Sequence, residues 1–155
     1  MDSPQNHIWG PHLWMILHSA AERIGLSQLK RLPQEESRIW VNLLGSLRYS
    51  LPCPHCKQHY TTYYSGNPIK VFNRDIIRKW FYDLHCQVNS RNGKPNEIAL
   101  ESIAEIYSKP FKFSHHFGFV SQQMGQALKI GWSSRDDIQK SVRAFNELKR
   151  FYDFF

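Results

Sequence analysis

Apolar side chains recur at three- and four-residue intervals along most of this chain, the spacing of helices that each bury one face. Trp9, Leu13, Ile16, Leu17, Ala20, Ala21 and Ile24 predict a first helix over about 10–24, with Pro11 at its start and Gly25 at its end. After a connection from Leu26 to Pro33, the stripe Ile39, Trp40, Leu43, Leu44 and Leu47 predicts a second helix over about 35–48. Pro52 and Pro54 interrupt that stripe, so a third helix starts at or just after Cys53. It carries Tyr60, Tyr63 and Tyr64 up to the break at Ser65-Gly66-Asn67-Pro68. Asn73 is a good N-cap for a fourth helix, with Asp75 in its first turn and Ile76, Ile77, Trp80, Phe81, Leu84 and Val88 on its apolar face. Arg91-Asn92-Gly93-Lys94-Pro95 stops it, and Ile98, Ile103 and Ile106 predict a short fifth helix over about 96–107.

Beyond Ser108 the pattern changes but stays helical. Phe111, Phe113, His115, His116, Phe117 and Phe119 crowd together, and Met124, Ala127, Leu128 and Ile130 suggest a helix ended by Gly131. Ser133-Ser134-Arg135-Asp136-Asp137 reads as a capped helix start with acidic residues in the first turn. Ile138, Val142, Phe145, Leu148 and Phe151 form the stripe that follows. Segments that alternate with a period of two are absent, as are internal repeats. The fold class is therefore all-α: a four-helix bundle plus a short fifth helix, with an additional helical C-terminal extension. Residues 1–107 are expected to form the functional domain. Residues 108–155 are too apolar for a free linker and are expected to pack on the bundle or on a second subunit.

Composition sharpens this picture in three ways. The 155 residues are 41% hydrophobic and 14% aromatic, enough to bury a core. The net charge of +7 is spread along the chain without a basic arm, which favours ordinary solubility over nucleic-acid binding. No run of about 18 apolar residues exists, so no membrane span is expected. The polar start, Met1 to His7, carries no apolar signal core, which points to a soluble protein that stays in the cytoplasm.

Candidate chemistry centres on Cys53-Pro54-His55-Cys56, which holds two of the three cysteines. Thiols in the first turn of a helix feel its positive end, which favours the reactive thiolate. His55 and Lys57 add positive or partly positive groups nearby. A metal reading is equally open: Cys53, Cys56 and His59 offer three corners of a zinc site, with His85 or Cys86 as the fourth. That reading makes the chain a zinc-stabilised all-α binding module. Elsewhere, Trp14 and His18 share one helix face, as do His85 and Asn89, an arrangement suited to a flat ligand that needs an aromatic wall and a polar edge.

Four pieces stand in order: Trp9-Gly10-Pro11-x-x-Trp14-x-x-x-His18, Cys53-x-x-Cys56-x-x-His59, Trp80-x-x-x-x-His85-x-x-Val88-Asn89, and Gly93-Lys94-Pro95. Together they resemble the flavin-dependent sulfhydryl oxidases of the Erv/ALR family over roughly residues 8–107. The resemblance implies FAD in the mouth of the bundle. Gly10, Trp14 and His18 would line it from the first helix, with His59 beside Cys56, His85, Val88 and Asn89 on the fourth helix, and Lys94 and Tyr107 beyond. Trp80 is expected in the core rather than against the cofactor. The implied reaction passes electrons from a thioredoxin-like or other dithiol protein through Cys53 and Cys56 to FAD, then to O2, giving H2O2. A homodimer through the first two helices is implied as well.

The chain departs from the family pattern twice. Cys86 stands where family members commonly have Asn, and the further cysteine pair that many relatives use to shuttle electrons is not among the three cysteines of this sequence. The compact, shuttle-free build looks most like the members encoded by large cytoplasmic DNA viruses.

Overall fold

The computed structural model describes residues 3–26, 33–96 and 98–155; the connection read over Leu26–Pro33 lies mostly outside them. Among the described residues there are only helices and turns: α1 (Asn6–Ala21), α2 (Pro33–Ser50), α3 (Pro54–Gly66), α4 (Arg74–Arg91), a 3-10 turn (Leu100–Ser102), α5 (Ile103–Tyr107), α6 (Phe113–Lys129) and α7 (Arg135–Phe151). None of these helices is long and apolar enough to cross a membrane. The all-α expectation, with a bundle, a short fifth helix and a helical extension, holds.

The helix starts that were legible are those with local caps. Asn73 Oδ1 accepts from the Ile76 N–H at 2.9 Å, and Ser134 Oγ accepts from the Asp137 N–H at 3.2 Å. Two boundaries differ from expectation. α1 begins at Asn6, so Pro11 lies inside the helix, where its missing N–H removes one rung of the ladder. The chain is anchored before it by a tertiary bond, Gln5 N–H to Gln123 Oε1 of α6 at 2.6 Å. The fifth helix is shorter than the predicted 96–107, because Asn96 does not act as a cap. Its side-chain amide turns back to Ser90 Oγ at 3.4 Å.

One hydrophobic core joins all the long helices. It includes Ile16 and Leu17 of α1, Trp40 and Leu43 of α2, Ile77 and Phe81 of α4, Phe113 and Met124 of α6, and Phe145 and Leu148 of α7. α2 packs on α3 and α1 on α4, while α6 lies along α1 and α7 along α2. A fully buried Phe or Leu stabilises by about 1.5–3 kcal/mol, so the apolar face of the extension is held firmly to the bundle. Buried Glu22, which caps the end of α1, pairs with Arg78 of α4 at 2.5 Å and ties two of the helices that form the cleft described next.

Candidate active site

α1, α3 and α4 diverge at one end of the bundle around a cleft of about 470 Å³, within the usual range for small-ligand sites of about 300–1,000 Å³. Trp9, Gly10, Trp14 and Met15 line it from α1, and Cys56 and His59 from α3. His85, Val88, Asn89 and Arg91 line it from α4, with Lys94 and Tyr107 closing the rim.

Local structure explains how each group comes to be there. Pro54 opens α3 at a position where its missing N–H is harmless, and Cys53 is the N-cap, its Sγ accepting from the Cys56 N–H at 3.3 Å. One turn of helix therefore separates the two sulfurs by role. Cys56 lines the cleft, whereas Cys53 is half-buried outside it. At the end of α4, Gly93 takes φ +68° and closes a Schellman turn. The Gly93 N–H donates to the Ser90 carbonyl at 3.3 Å and the Lys94 N–H to the Asn89 carbonyl at 2.8 Å, which fixes Lys94 against Asn89.

The electrostatics correct one expectation. A helix start favours thiolate, but burial pushes the Cys56 thiol up to about 12, and the neighbouring Cys53 sulfur adds to the rise. A hydrogen bond from Asn6 and the positive Arg91 act the other way without reversing it. Desolvation thus outweighs the helix terminus at this sulfur.

The aromatic wall is a layered stack. Trp14 and His85 lie face to face with centroids 4.0 Å apart and planes within 7°, and His18 stacks on Tyr107 at 4.6 Å. His18 Nε2 is 3.0 Å from His85 Nδ1, so a single proton is shared between two neutral rings. Burial, then the charge of the other ring, lowers His18 to about 3; burial, then Lys94, lowers His85 to about 4. Both are neutral at ordinary pH. His18 does not line the cleft. It is 1% exposed and supports the wall from behind, because α4 and Tyr107 close over its face of α1. Two buried polar atoms of this region have no partner among the described residues, Nδ1 of His18 and Nε1 of Trp9, the latter on the cleft wall.

The cleft thus gathers Gly10, Trp14, His59, His85, Val88, Asn89, Lys94 and Tyr107 with Cys56, and leaves out His18 and Cys53. Trp80 is 7% exposed in the core and donates from Nε1 to the Asn67 carbonyl at 2.8 Å. Cys86 lies outside the cleft, near the Tyr82 phenol, whose hydroxyl donates to the Ile98 carbonyl at 2.8 Å. Among the described residues no three His, Cys, Asp or Glu side chains come together in a way that could hold a metal ion. Sequence reading missed Asn6 and Arg91. Arg91 reads in sequence as part of a helix stop, yet with Lys94 it makes one end of the cleft cationic, a place for an anionic group. The spacing Arg91-x-x-Lys94 at a helix end was the available signal. A redox-capable sulfur, a stacked aromatic wall and a cationic end in one cleft suit a flat, anionic redox cofactor.

Comparison with known proteins agrees with that arrangement. Residues 11–108 match the model of the Erv1 / Alr family. Over 119 residues the chain is 27% identical to a "Probable FAD-linked sulfhydryl oxidase" of Acanthamoeba polyphaga mimivirus, covering 72% of this chain and 80% of the relative. Over 112 residues it is 32% identical to an FAD-linked sulfhydryl oxidase of African swine fever virus, covering 71% of this chain and 88% of the relative. No solved structure matches the chain at a significant level.

Proposed function

The chain belongs to the Erv1 / Alr family, and from that membership and the cleft together we propose that it is an FAD-linked thiol oxidase that makes disulfides in protein dithiols. The observation that carries the proposal is the placement of Cys56 inside the cleft with Trp14, His85, Arg91 and Lys94, while Cys53 stands outside it. A flavin dinucleotide fits these residues. The Trp14–His85 pair and Tyr107 offer ring faces, and Arg91 and Lys94 suit a pyrophosphate. The Trp9 indole N–H is a buried donor still in need of an acceptor. FAD, when bound, takes up two electrons from a dithiol and yields them to molecular oxygen, which leaves as hydrogen peroxide.

The division of labour between the sulfurs follows from their positions. Cys53 and Cys56 are free thiols in this structure; in the oxidised form they would be joined, and a substrate thiolate attacks Cys53 Sγ from outside the cleft so that the Cys53–Cys56 bond breaks. The substrate is then joined to Cys53 by a mixed disulfide, and Cys56 leaves as a thiolate facing the cleft. Arg91 and the hydrogen bond from Asn6 stabilise that thiolate. A second substrate thiolate attacks its partner sulfur in the mixed disulfide and releases the oxidised substrate, returning Cys53 as a thiolate; Cys53 and Cys56 then hold the electron pair that bound FAD would accept as their disulfide re-forms.

The donor in this proposal is a thioredoxin-like or other dithiol protein that brings its thiols to Cys53. The proposal also divides the chain into an oxidase domain over 1–107 and an extension over 108–155, supported by the end of the family match at residue 108. It places the protein in the cytoplasm of an infected cell, in keeping with the viral relatives. A homodimer of this chain would use surfaces that α6 and α7 leave open, such as the α2 face carrying exposed Val41 and Tyr49, because α6 and α7 pack on α1 and α2.

Oxygen consumption and peroxide release by the FAD-loaded protein, with dithiothreitol as donor, test the proposal. Wild type and Cys86→Ser are expected to turn over, and Cys53→Ser and Cys56→Ser are not. Full activity in Cys56→Ser would refute it.

A further inference from the structure

The C-terminal extension lies beyond the family-matched residues, yet one of its turns stands beside the start of α3. Lys57, one helical turn after Cys53, donates its backbone N–H to the Cys53 carbonyl at 3.0 Å. Its Nζ donates to the Trp132 carbonyl and, at 2.7 Å, to Ser133 Oγ. One lysine side chain therefore spans the gap between the cysteine that meets substrate and the turn joining α6 to α7. Burial lowers the Lys57 ammonium, while Asp137 and the Cys53 sulfur, both near enough to act on it, pull the other way.

That turn is held at both ends. Gly131, at φ +83°, closes α6 with a Schellman pair: the Gly131 N–H donates to the Leu128 carbonyl at 3.2 Å and the Trp132 N–H to the Ala127 carbonyl at 2.8 Å. Ser134 caps α7 directly after it. An apolar residue in the place of Trp132 ordinarily folds back on the last turn of its helix. Trp132 is 37% exposed instead, whereas Trp9, Trp40 and Trp80 are at most 7% exposed. A rigidly presented, part-exposed Trp is the residue type most enriched where binding energy concentrates.

Cys53 lies outside the cleft, so a protein thiol must reach it across the start of α3. The residues flanking that thiol then lie over the start of α3, where Pro54 and His55 are exposed and to which Lys57 ties the Trp132–Ser133 turn. We propose that the Gly131–Ser133 turn is part of the surface that receives the substrate protein, with Trp132 contacting an apolar side chain next to the attacking cysteine. The occupant is an extended segment of a reduced dithiol protein. The inference rests on the oxidase reading and adds to it a selector built from the extension.

The test uses the full-length, FAD-loaded protein with three donors: dithiothreitol and two Cys-x-x-Cys peptides, one flanked by Leu and one by Asp. Wild type is expected to prefer the Leu-flanked peptide. Trp132→Ala is expected to lower kcat/KM for that peptide roughly tenfold, mainly through KM, and to erase the preference. Turnover of dithiothreitol, too small to reach the turn, stays within about twofold. Trp132→Gln keeps a longer side chain in the turn while removing the aromatic face; it takes the place of the alanine variant, with the same expectations, if that variant melts early. An unchanged peptide preference overturns the inference while leaving the oxidase reading intact. An equal fall for dithiothreitol and peptide overturns it too, since the turn would then act on the fold or the cysteines. If wild type oxidises none of the three donors, the oxidase reading fails and the inference with it.

Discussion

Two polar clusters are buried in this one helical core, and they differ in whether their groups have found partners. At the seam of α2 and α7, Trp40 Nε1 donates to Tyr152 OH at 2.9 Å, and that hydroxyl donates to Glu36 Oε2 at 2.6 Å. Nearby, Ser141 Oγ lies 2.8 Å from Ser46 Oγ and 2.5 Å from Ser50 Oγ. At the other cluster, behind and along the cleft, Trp9 Nε1 and His18 Nδ1 have no partner among the described residues, and His18 and His85 share one proton between two desolvated rings. A buried polar group left unmet costs about 1–3 kcal/mol. The completed cluster therefore serves the fold. At the incomplete one, the Trp9 indole N–H stands on the cleft wall, where a bound ligand would meet it, while His18 is sealed behind. Side-chain types alone do not separate the two clusters, since each contains Trp and a proton-sharing group; the state of their hydrogen bonds does.

The comparison can be broken most sharply at the cysteines. Cys56→Ser is expected to reduce dithiothreitol-driven oxygen uptake to the rate without protein, while Cys86→Ser, outside the cleft, stays within about threefold of wild type. Next come the groups that would hold the cofactor. Arg91→Ala removes one of two cations at the cleft end and is expected to weaken FAD binding about 10- to 100-fold by calorimetric titration, with little change in the melting temperature of the FAD-free protein.

The third way is pH. His18 and His85 titrate at about 3 and about 4 in the folded protein, below the usual histidine value. Between those values and about 6.5 the unfolded chain binds more protons than the folded one, so stability is full above about 6.5 and is lost as pH falls through this window. His85→Asn is expected to flatten that slope in chemical denaturation series. The smallest effect belongs to the completed cluster. Tyr152→Phe leaves Glu36 and the Trp40 N–H short of a partner and is expected to cost about 1–3 kcal/mol, lowering the melting temperature by a few degrees with kcat for dithiothreitol unchanged.

How much of this could be read from the chain alone follows the range of the forces involved. α4 and α7 were legible because Asn73 and Ser134 cap them from one residue away. The start of α1 was not, because its anchor is Gln123, 118 residues later. Most of the cleft was legible, since Gly10, Trp14, His85, Val88 and Asn89 keep helical spacing and the family's order. His18 was less legible. It shares a helix face with Trp14, but only the packing of α4 and Tyr107 decides which of the two reaches the cleft. The Cys56 thiol was misjudged because the helix terminus is visible in sequence and burial is not. The extension showed apolar stripes and caps, which establish helices with a face to bury but not the surface they bury it on. That this surface is α1 and α2, and that the turn between α6 and α7 reaches Lys57, came only with the fold.

Anaerobic titration of the purified, FAD-loaded protein with dithiothreitol, followed by the visible flavin absorbance, tests the central claim most directly. Wild type is expected to bleach rapidly and completely, and Cys56→Ser to keep its colour on the same timescale, because the sulfur that faces the cleft is then gone. Bleaching of Cys56→Ser at the wild-type rate, or a wild-type protein that retains no flavin, would contradict the account.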